Sequence, residues 1–490
     1  MKKRVSILIA GVLIALVCIS LAACGEKGGN ETYFVKTDGA KILGNDGTPI
    51  GLYGTNLGGW LVQEEWLVPT NVDGDYGQID MMLTLANRFG MDGMNELLDV
   101  YMDNWVTELD FKRIADMGLN CVRIPFTYLN FTDAVSYDEE SESYVRTPFD
   151  RLVVVQDSFA RLDWALDMCE KYGLYAILDM HGAVGSQSGN DHTGDISFKD
   201  GGQLWLENEI GETCRQKTLE LWVAIANRYK ERKCVAMYDL LNEPGLKVDG
   251  NQSTAHDICL DFFDELYKAI RAVDGNHAIC MESCWTPMEI PAPSKYGWEN
   301  VIYQYHHYNW ASSGITNSAY YSLQLLMNNL TTKAGKYNVP VLIGEFNVWA
   351  DSHPDKVKAT GRTSVQTEEE AWAGVIELYC AVGWNFTTWN FKHAALHSSW
   401  GLFNYSPDAA NMDEQADFYN MSKDEIAKIW ARHNSQNYVE NTTLTGCILP
   451  YISDFNTNGN DNRTETEILQ DKDLYILSFE EPKGEDEDNE

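Results

Sequence analysis

The amino-acid sequence predicts a single (β/α)8 barrel with a short β-hairpin in front of it. Two patterns carry that expectation. Eight short, continuously apolar runs recur between residues 52 and 391, and strands apolar on both faces belong to a parallel sheet covered by helices. Segments with helical periodicity lie between the runs, and eight such units close a barrel. A third observation argues against an open doubly wound sheet. The stretch "GTNLGGW" in and after the first run lacks the spacing of a glycine-rich dinucleotide loop.

The elements follow in order. "YFVKTDGAKILGNDGTPIGLYGTN" (33 to 56) alternates apolar and polar residues and is broken by Asp38-Gly39, Asp46-Gly47 and Pro49. That is a hairpin leading into a strand. The runs are "LYGTNLG" (from 52), "NCVRIPF" (120), "LYAILDMH" (174), "VAMYDLLNEP" (235), "AICMES" (278), "VIYQYHHY" (301), "VPVLIGEF" (339) and "WNFTTWNF" (384). Among the helical segments, "DFKRIADMG" ends in a glycine. "FARLDWALDMCEKYG" places Leu162, Leu166 and Cys169 on one face and stops at Gly173. "LELWVAIANRYK", "CLDFFDELYKAIRAV", "SLQLLMNNLTTKAGKY" and "AWAGVIELYCAVG" repeat the pattern. A last helix opens on a capping box, Ser422 with Glu425, ahead of Ile426, Ile429 and Trp430. The short gap between the fifth and sixth runs demands a short or irregular crossover. The barrel domain is expected over 33–445. A polar extension with one strand-like run, "LYILSF", follows over 446–490.

The N-terminus reads as a targeting segment. "MKKR" is a positive start, an apolar core follows, and "LAAC" closes it at Cys24. This resembles a bacterial lipobox. The resemblance implies a signal peptide over 1–23, lipidation of the Cys24 thiol, a tether over 24–32, and a location outside the cytoplasm on a membrane. An ordinary cleaved signal with a chance cysteine is the alternative, and it also leads out of the cytoplasm. The formal charge of −36 repels phosphate backbones, so nucleic acid is excluded as a partner while a neutral substrate is not. "EEPKGEDEDNE" at the C-terminus is a solvated acidic tail. The nine cysteines beyond Cys24 are irregularly spaced and sit mostly in apolar runs. They are expected to be buried free thiols, although export would permit a disulfide.

In a (β/α)8 barrel the reactive groups gather at the C-terminal ends of the strands. Taken run by run, that rim carries Glu64 after the first, Arg123 in the second and His181 in the third. Asn242 and Glu243 end the fourth. His306 and Tyr308 lie in the sixth, Glu345 in the seventh and Trp389 in the eighth. Alternation sends His306 and Tyr308 to one side of their strand and His307 to the helices. Each residue alone has a bland explanation, such as a salt bridge or a satisfied core histidine. Together they equip nearly every strand end with a group that can touch a sugar or a carboxylate. Glu243 and Glu345 lie three strands apart and face each other across the mouth. Two opposed carboxylates are the minimum equipment of glycoside hydrolysis, one kept protonated to act as acid and one kept ionised. Arg123 would hold Glu345 charged, Tyr308 would hold its oxygen in line, Asn242 could meet a sugar 2-hydroxyl, and Trp389 offers a flat floor.

The set "VRIP", "DMHG", "LLNEP", "HHY", "IGEF" and "TWNFK", in order at strand ends over residues 50 to 405, resembles glycoside hydrolase family 5. "GTNLGGWLVQEEW" and "HGAVGSQSGNDHTG" are similar to its exo-β-1,3-glucanase branch. The resemblance implies a retaining mechanism with Glu243 as acid/base and Glu345 as nucleophile. It places Glu64, Arg123, His181, Asp191, Asn242, His306, Tyr308 and Trp389 around the substrate. It departs from the branch at Asn190-Asp191-His192, where an aromatic followed by Asp-Asn is usual, so the leaving-group side is expected to differ. Trp310, Trp349 and Trp400 could supply stacking there. No metal or other cofactor is expected, because His181, His192, His306 and His307 lack a ligand spacing. The function expected is hydrolysis of β-glucan or its oligosaccharides. The alternatives are the same chemistry on cellulose, mannan or a glycolipid, and a glycan-binding lipoprotein without turnover.

Overall fold

A computed structural model of the chain describes residues 33–198, 201–245, 252–283, 290–308, 337–349, 367–396, 398–405 and 415–458. The hairpin region folds as a three-stranded antiparallel sheet, β1 (Lys36–Asp38), β2 (Lys41–Leu43) and β3 (Pro49–Ile50). Val35, Ile42 and Leu52 of this region join Ile177, Met237, Ala278, Ile302 and Leu342 in one buried cluster. The small sheet therefore packs against the base of the barrel and leaves the other end open to carry polar groups.

The eight predicted runs form a closed parallel barrel. They are β4 (Tyr53–Asn56), β5 (Cys121–Thr127), β8 (Tyr175–Gly182), β9 (Val235–Asp239), β10 (Ala278–Glu282), β11 (Val301–Tyr308), β12 (Val341–Asn347) and β13 (Asn385–Thr388), and β13 pairs back onto β4. The described residues between β10 and β11 hold a 3-10 turn at Pro293–Lys295.

The described helices are α1 (Gln78–Trp105), α2 (Glu108–Asp116), α3 (Ala160–Tyr172), α4 (Glu209–Tyr229), α5 (Gln252–Val273), α6 (Glu368–Ala381), α7 (Lys423–Arg432) and α8 (Thr442–Asn458). In α3, Leu162, Leu166 and Cys169 are buried. Gly173 ends the helix at φ 70°, and its N–H returns to the Cys169 carbonyl. In α7 the capping box forms, with Ser422 Oγ accepting from the Glu425 N–H and Glu425 accepting from the Ser422 N–H. The predicted helix around 322–337 lies almost wholly outside the described residues, and the "LYILSF" run and acidic tail lie wholly outside them.

Three features were not expected from sequence. Helix α1 is interrupted at Gly90, which sits at φ 76° and breaks its apolar periodicity into two short stretches. A hairpin of β6 (Val135–Asp138) and β7 (Ser143–Arg146) is inserted after β5. A small sheet of β14 (Lys392–His393), β15 (Phe403–Tyr405) and β16 (Tyr438–Glu440) follows β13. Helix α8 runs through residue 445, where the sequence places the end of the barrel domain, and buries Leu444, Ile448 and Ile452. Cys121, Cys169, Cys214, Cys234, Cys259, Cys280 and Cys380 are buried free thiols and Cys447 is half-buried, while Cys24 and Cys284 lie outside the described residues. No described helix is long and apolar enough to cross a membrane.

Lys392 fastens the new sheet to the helical shell. Its buried ammonium donates to the Trp105 carbonyl, to Ser435 Oγ at 2.8 Å and to Asp110 Oδ2 at 3.2 Å. Burial lowers its pKa to about 8 despite Asp110. Replacing it by Met leaves Asp110 buried without its cation. The expected loss is about 3–5 kcal/mol of stability, measured by denaturant unfolding of the two chains. A change below about 1 kcal/mol would contradict this account of the pair.

Candidate active site

The site is built outward from Arg123. Alternation on β5 turns this side chain into the barrel, where it is fully buried. Its Nε donates to Asp239 Oδ2 at 2.8 Å. One terminal nitrogen donates to Asn56 Oδ1 at 3.1 Å and Glu345 Oε1 at 2.8 Å. The other donates to Asn242 Oδ1 at 2.9 Å and pairs with Asp179 Oδ1 at 3.0 Å. Burial alone would disfavour its charge, but Asp179, Asp239 and Glu345 outweigh it and hold the guanidinium firmly protonated. Burial in turn raises Asp179 to about 7 and Asp239 to about 6 against the pull of Arg123.

Barrel register brings the rest together. His306 on β11 is the direct partner of Glu345 on β12, and Tyr308 projects from the same side. Tyr308 Oη donates to Glu345 Oε2 at 2.8 Å. His306 Nδ1 lies 2.7 Å from Glu243 Oε1 and 3.4 Å from Glu345 Oε2. One nitrogen therefore touches both carboxylates, so their facing oxygens can be no farther apart than those two lengths end to end. That falls short of the roughly 6.5–9.5 Å of inverting pairs. His307 faces outward, as expected, with Nδ1 2.5 Å from Tyr379 Oη, and burial lowers its pKa to about 4.

The groups around Glu243 and His306 shift both of their pKa values. Burial would raise the Glu243 pKa, but His306, and more weakly His192 and His181, hold it well below the usual carboxylate range. His306 is raised to about 10, because Glu282, Glu345 and Glu243 outweigh the burial that would lower it. With Glu243 lowered and His306 raised, the two form an ion pair at 2.7 Å, through which His306 can supply the proton expected of Glu243.

His181 Nδ1 is 2.6 Å from Asp179 Oδ2, and its ring lies parallel to Trp389 at 5.4 Å. Burial keeps it neutral, so the Nδ1–H donates to Asp179 and Nε2 faces Glu345 Oε1 at 4.0 Å. The peptide bond after Trp389 is cis. Glu64 accepts from Trp66 Nε1 at 3.0 Å through one oxygen, and burial followed by Asp191 and Glu345 pushes its pKa well up. Its other oxygen, and Asn242 Nδ2, are buried without a partner among the described residues. A buried acceptor and a buried donor left open at a cleft are suited to hydroxyl groups of a ligand.

Asp191 and His192 stand on a 3-10 turn. His192 Nδ1 is 3.7 Å from Glu243 Oε2, and its Nε2 meets Ser188 Oγ at 2.9 Å. Trp400 packs against Trp66 at 4.8 Å, Trp349 at 4.9 Å and Tyr308 at 6.0 Å, so two of the three candidate tryptophans join one aromatic wall. Trp310 and Cys24 lie outside the described residues.

Sequence reasoning assigned no place here to Asn56, Gln187, Asp239, Glu282 or Gln304. Gln187 donates to the His181 and Asn242 carbonyls at 2.7 and 2.8 Å and so ties the turn to β8 and β9. Its signal was the polar "SQS" inside an otherwise small-residue loop. Glu243, Glu282 and His306 offer metal-ligand atoms within 4.8 Å of one another, but His306 Nδ1 is committed to Glu243 Oε1.

Comparisons with known proteins agree with this geometry. Residues 84–395 match the family described as Cellulase (glycosyl hydrolase family 5). A beta-xylosidase of Phanerodontia chrysosporium is 28% identical over 282 residues, covering 56% of this chain and 52% of that protein. A probable glucan 1,3-beta-glucosidase A of Aspergillus niger is 28% identical over 294 residues, covering 60% and 64%. A glucan 1,3-beta-glucosidase of Schwanniomyces occidentalis is 30% identical over 280 residues, covering 54% and 58%. The chain thus spans about half to two thirds of the length of these relatives. Among solved structures, a rutinosidase from Aspergillus niger superposes with a TM-score of 0.50 at 17% identity, covering 72% of this chain and 92% of that one. An endogalactoceramidase gives 0.51 at 17%, covering 81% and 84%. These two speak for the fold.

Replacing Arg123 by Met strands Asp179 and Asp239 in the barrel. Loss of about 3–5 kcal/mol is expected, together with release of the ligand-facing Asn242 and Glu345. Thermal unfolding of Arg123→Met within a degree or two of the parent chain would refute the central role given to this residue.

Proposed function

Because the chain belongs to glycoside hydrolase family 5, we propose that it is a retaining glycosidase that cleaves β-glucosidic bonds in β-1,3-glucan, a related glucan, or their oligosaccharides. The observation that carries this reading is the contact of one His306 nitrogen with both Glu243 and Glu345. It keeps the facing oxygens of the two carboxylates closer than the gap an inverting pair leaves for water. Glu345, held by Arg123 and Tyr308, attacks the anomeric carbon. The bond to the leaving oxygen breaks, and that oxygen takes a proton from Glu243, which His306 resupplies across their hydrogen bond. In the second half Glu243 removes a proton from water, which attacks the glycosyl ester and frees Glu345. Asn242 Nδ2 and the open Glu64 oxygen receive sugar hydroxyls, and Trp389 backs the ring. The glucan 1,3-beta-glucosidases among the relatives support glucose as the sugar. The Phanerodontia beta-xylosidase makes a β-xyloside the second reading.

The chain lacking residues 1–24 is expected to release glucose or short oligosaccharides from laminarin or lichenan in preference to cellulose, mannan and an aryl β-xyloside. Glu345→Ala and Glu243→Ala should each lower turnover on the best substrate by on the order of 10³-fold or more. Glucan binding with no turnover, unchanged in Glu345→Ala, would sink the hydrolase in favour of a glycan-binding protein.

The targeting segment supports a second part of the proposal: export, with lipid attached at Cys24 and the catalytic barrel held at a membrane on its outer side. Expressed in a bacterium fed labelled fatty acid, the full chain should take up label and Cys24→Ser should not. Equal label in both, or none in either, would remove the anchor.

A further inference from the structure

Glu243 sits at φ 39°, in the left-handed region that residues other than glycine seldom occupy. Something must hold it there. Its backbone N–H donates to Glu282 Oε2 at 3.0 Å. The same oxygen accepts from Gln304 Nε2 at 3.0 Å and faces His306 Nε2 at 3.5 Å. Glu282 on β10 and Gln304 on β11 are partners in register. Gln304 lies flat because Gly344 leaves it room: a Cβ there would stand 2.3 Å from its Oε1. Glu282 is 3% exposed. It reaches Glu243 twice, through the main chain directly and through the imidazole whose other nitrogen binds the Glu243 carboxylate.

We propose that Glu282 is a positioning residue for the acid/base, fixing the main chain at Glu243 and setting how firmly the Glu243–His306 pair holds its transferable proton. This inference rests on the hydrolase reading above. A buried carboxylate with a purely structural task would suffice with neutral donors. Here two N–H groups donate to Glu282 Oε2, and the third group against that oxygen, at ion-pair distance, is a titratable imidazole placed between Glu282 and both reactive carboxylates.

The charges around the pair set the direction of the effect. From β12 Glu345 faces His306, and from beyond β9 Glu243 does. Asp239 on β9, Arg123 on β5 and the Cys280 thiol on β10 act on Glu282, and His192 stands on the far oxygen of Glu243. Burial and the neighbouring carboxylates push Glu282 well up, while His306 and Arg123 oppose them. Glu282 and His306 titrate together, the charge on each favouring the charge on the other, so in the ion-paired form Glu282 adds a negative charge beside His306 and strengthens the pair's hold on one proton. In the first half-reaction that proton passes from Nδ1 to Glu243 Oε1 and on to the leaving oxygen. In the second, the proton taken from water returns the same way.

The test compares pH profiles of kcat/KM for laminaribiose, whose leaving group needs a proton, and 2,4-dinitrophenyl β-glucoside, whose leaving group does not. In Glu282→Gln the alkaline limb for laminaribiose should move down by about one pH unit, and activity at neutral pH should fall on the order of ten-fold. Activity on the dinitrophenyl glycoside should stay within about two-fold, because acid catalysis contributes little there. Glu282→Asp, which keeps the charge, should restore the position of the limb. Equal losses on both substrates with an unmoved limb, or no change on either, would overturn the proposal. A parent chain inactive on both glycosides overturns the hydrolase reading and this inference with it. A parent chain active on both, with a Gln variant that does not separate them, overturns this inference alone. A second measurement needs no variant: the ¹⁵N shifts of His306 in the parent chain should report an imidazolium at pH 8, and a neutral ring there would contradict the proposal.

Discussion

Everything at the barrel mouth depends on one buried cation. Arg123 has no contact with solvent, so its charge is tolerable only if its donors are all taken up by acceptors in fixed places. Those acceptors come from β4, β8, β9, the turn after β9, and β12. Closing the barrel and neutralising the guanidinium are therefore one event. A lysine could not do this, because a compact ammonium with three donors cannot reach five separated acceptors in a plane. The cost of the charge is what holds Glu345 and Asn242 at the angles at which they face the opening.

A second constraint follows from the first. With Arg123 near the axis, the ring of ionisable groups above it alternates in state. His181 is neutral against Asp179, and His306 is charged among Glu243, Glu282 and Glu345. Glu64, farther out, is pushed up by burial and by Asp191. Two histidines on neighbouring faces of one cavity thus differ in charge for a plain reason. His181 faces Asp179 and, more distantly, Glu345, both already engaged by Arg123, while His306 sees three carboxylates. The pair of reactive carboxylates is kept together by that imidazolium, which would otherwise have to be replaced by a proton shared between them.

Much of this was legible in the sequence, and what was not had a common cause. Strand ends, the inward His306 and Tyr308, the outward His307 and the caps at Gly173 and Ser422 follow from local periodicity and chirality, which short windows encode. Asp179 and Asp239 were harder to place because an acid inside an apolar run reads as an anomaly until its cation is found. That cation is 56 residues away from one and 116 from the other in number, and register alone makes them neighbours. Glu282 ends "AICMES" with no motif around it, and its meaning comes from Gln304, His306 and the Glu243 main chain. The raised pKa of His306 escaped for the same reason: it is set by Glu282 on β10, Glu345 on β12 and Glu243 beyond β9. Helix α1 was hidden locally, by Gly90 in mid-helix.

The parts of the site fixed by Arg123 are also the parts least able to vary, because each change strands a buried charge. Groups outside that network can change without that cost. The turn at Asn190–His192 is such a group. It hangs on Gln187, through carbonyls of His181 and Asn242, and so can change its tip without touching Arg123 or the groups it binds. At that tip His192 stands 3.7 Å from the outer oxygen of Glu243, where a leaving group would depart. Across the mouth, Trp66, Trp349 and Trp400 meet at angles of 60° to 65°. Faces so inclined form a corner rather than a flat platform, and a corner accepts a bent chain or a chain end more readily than a straight ribbon. The departure of this loop from the glucanase pattern and that inclined corner both lie outside the Arg123 network, above the buried charge.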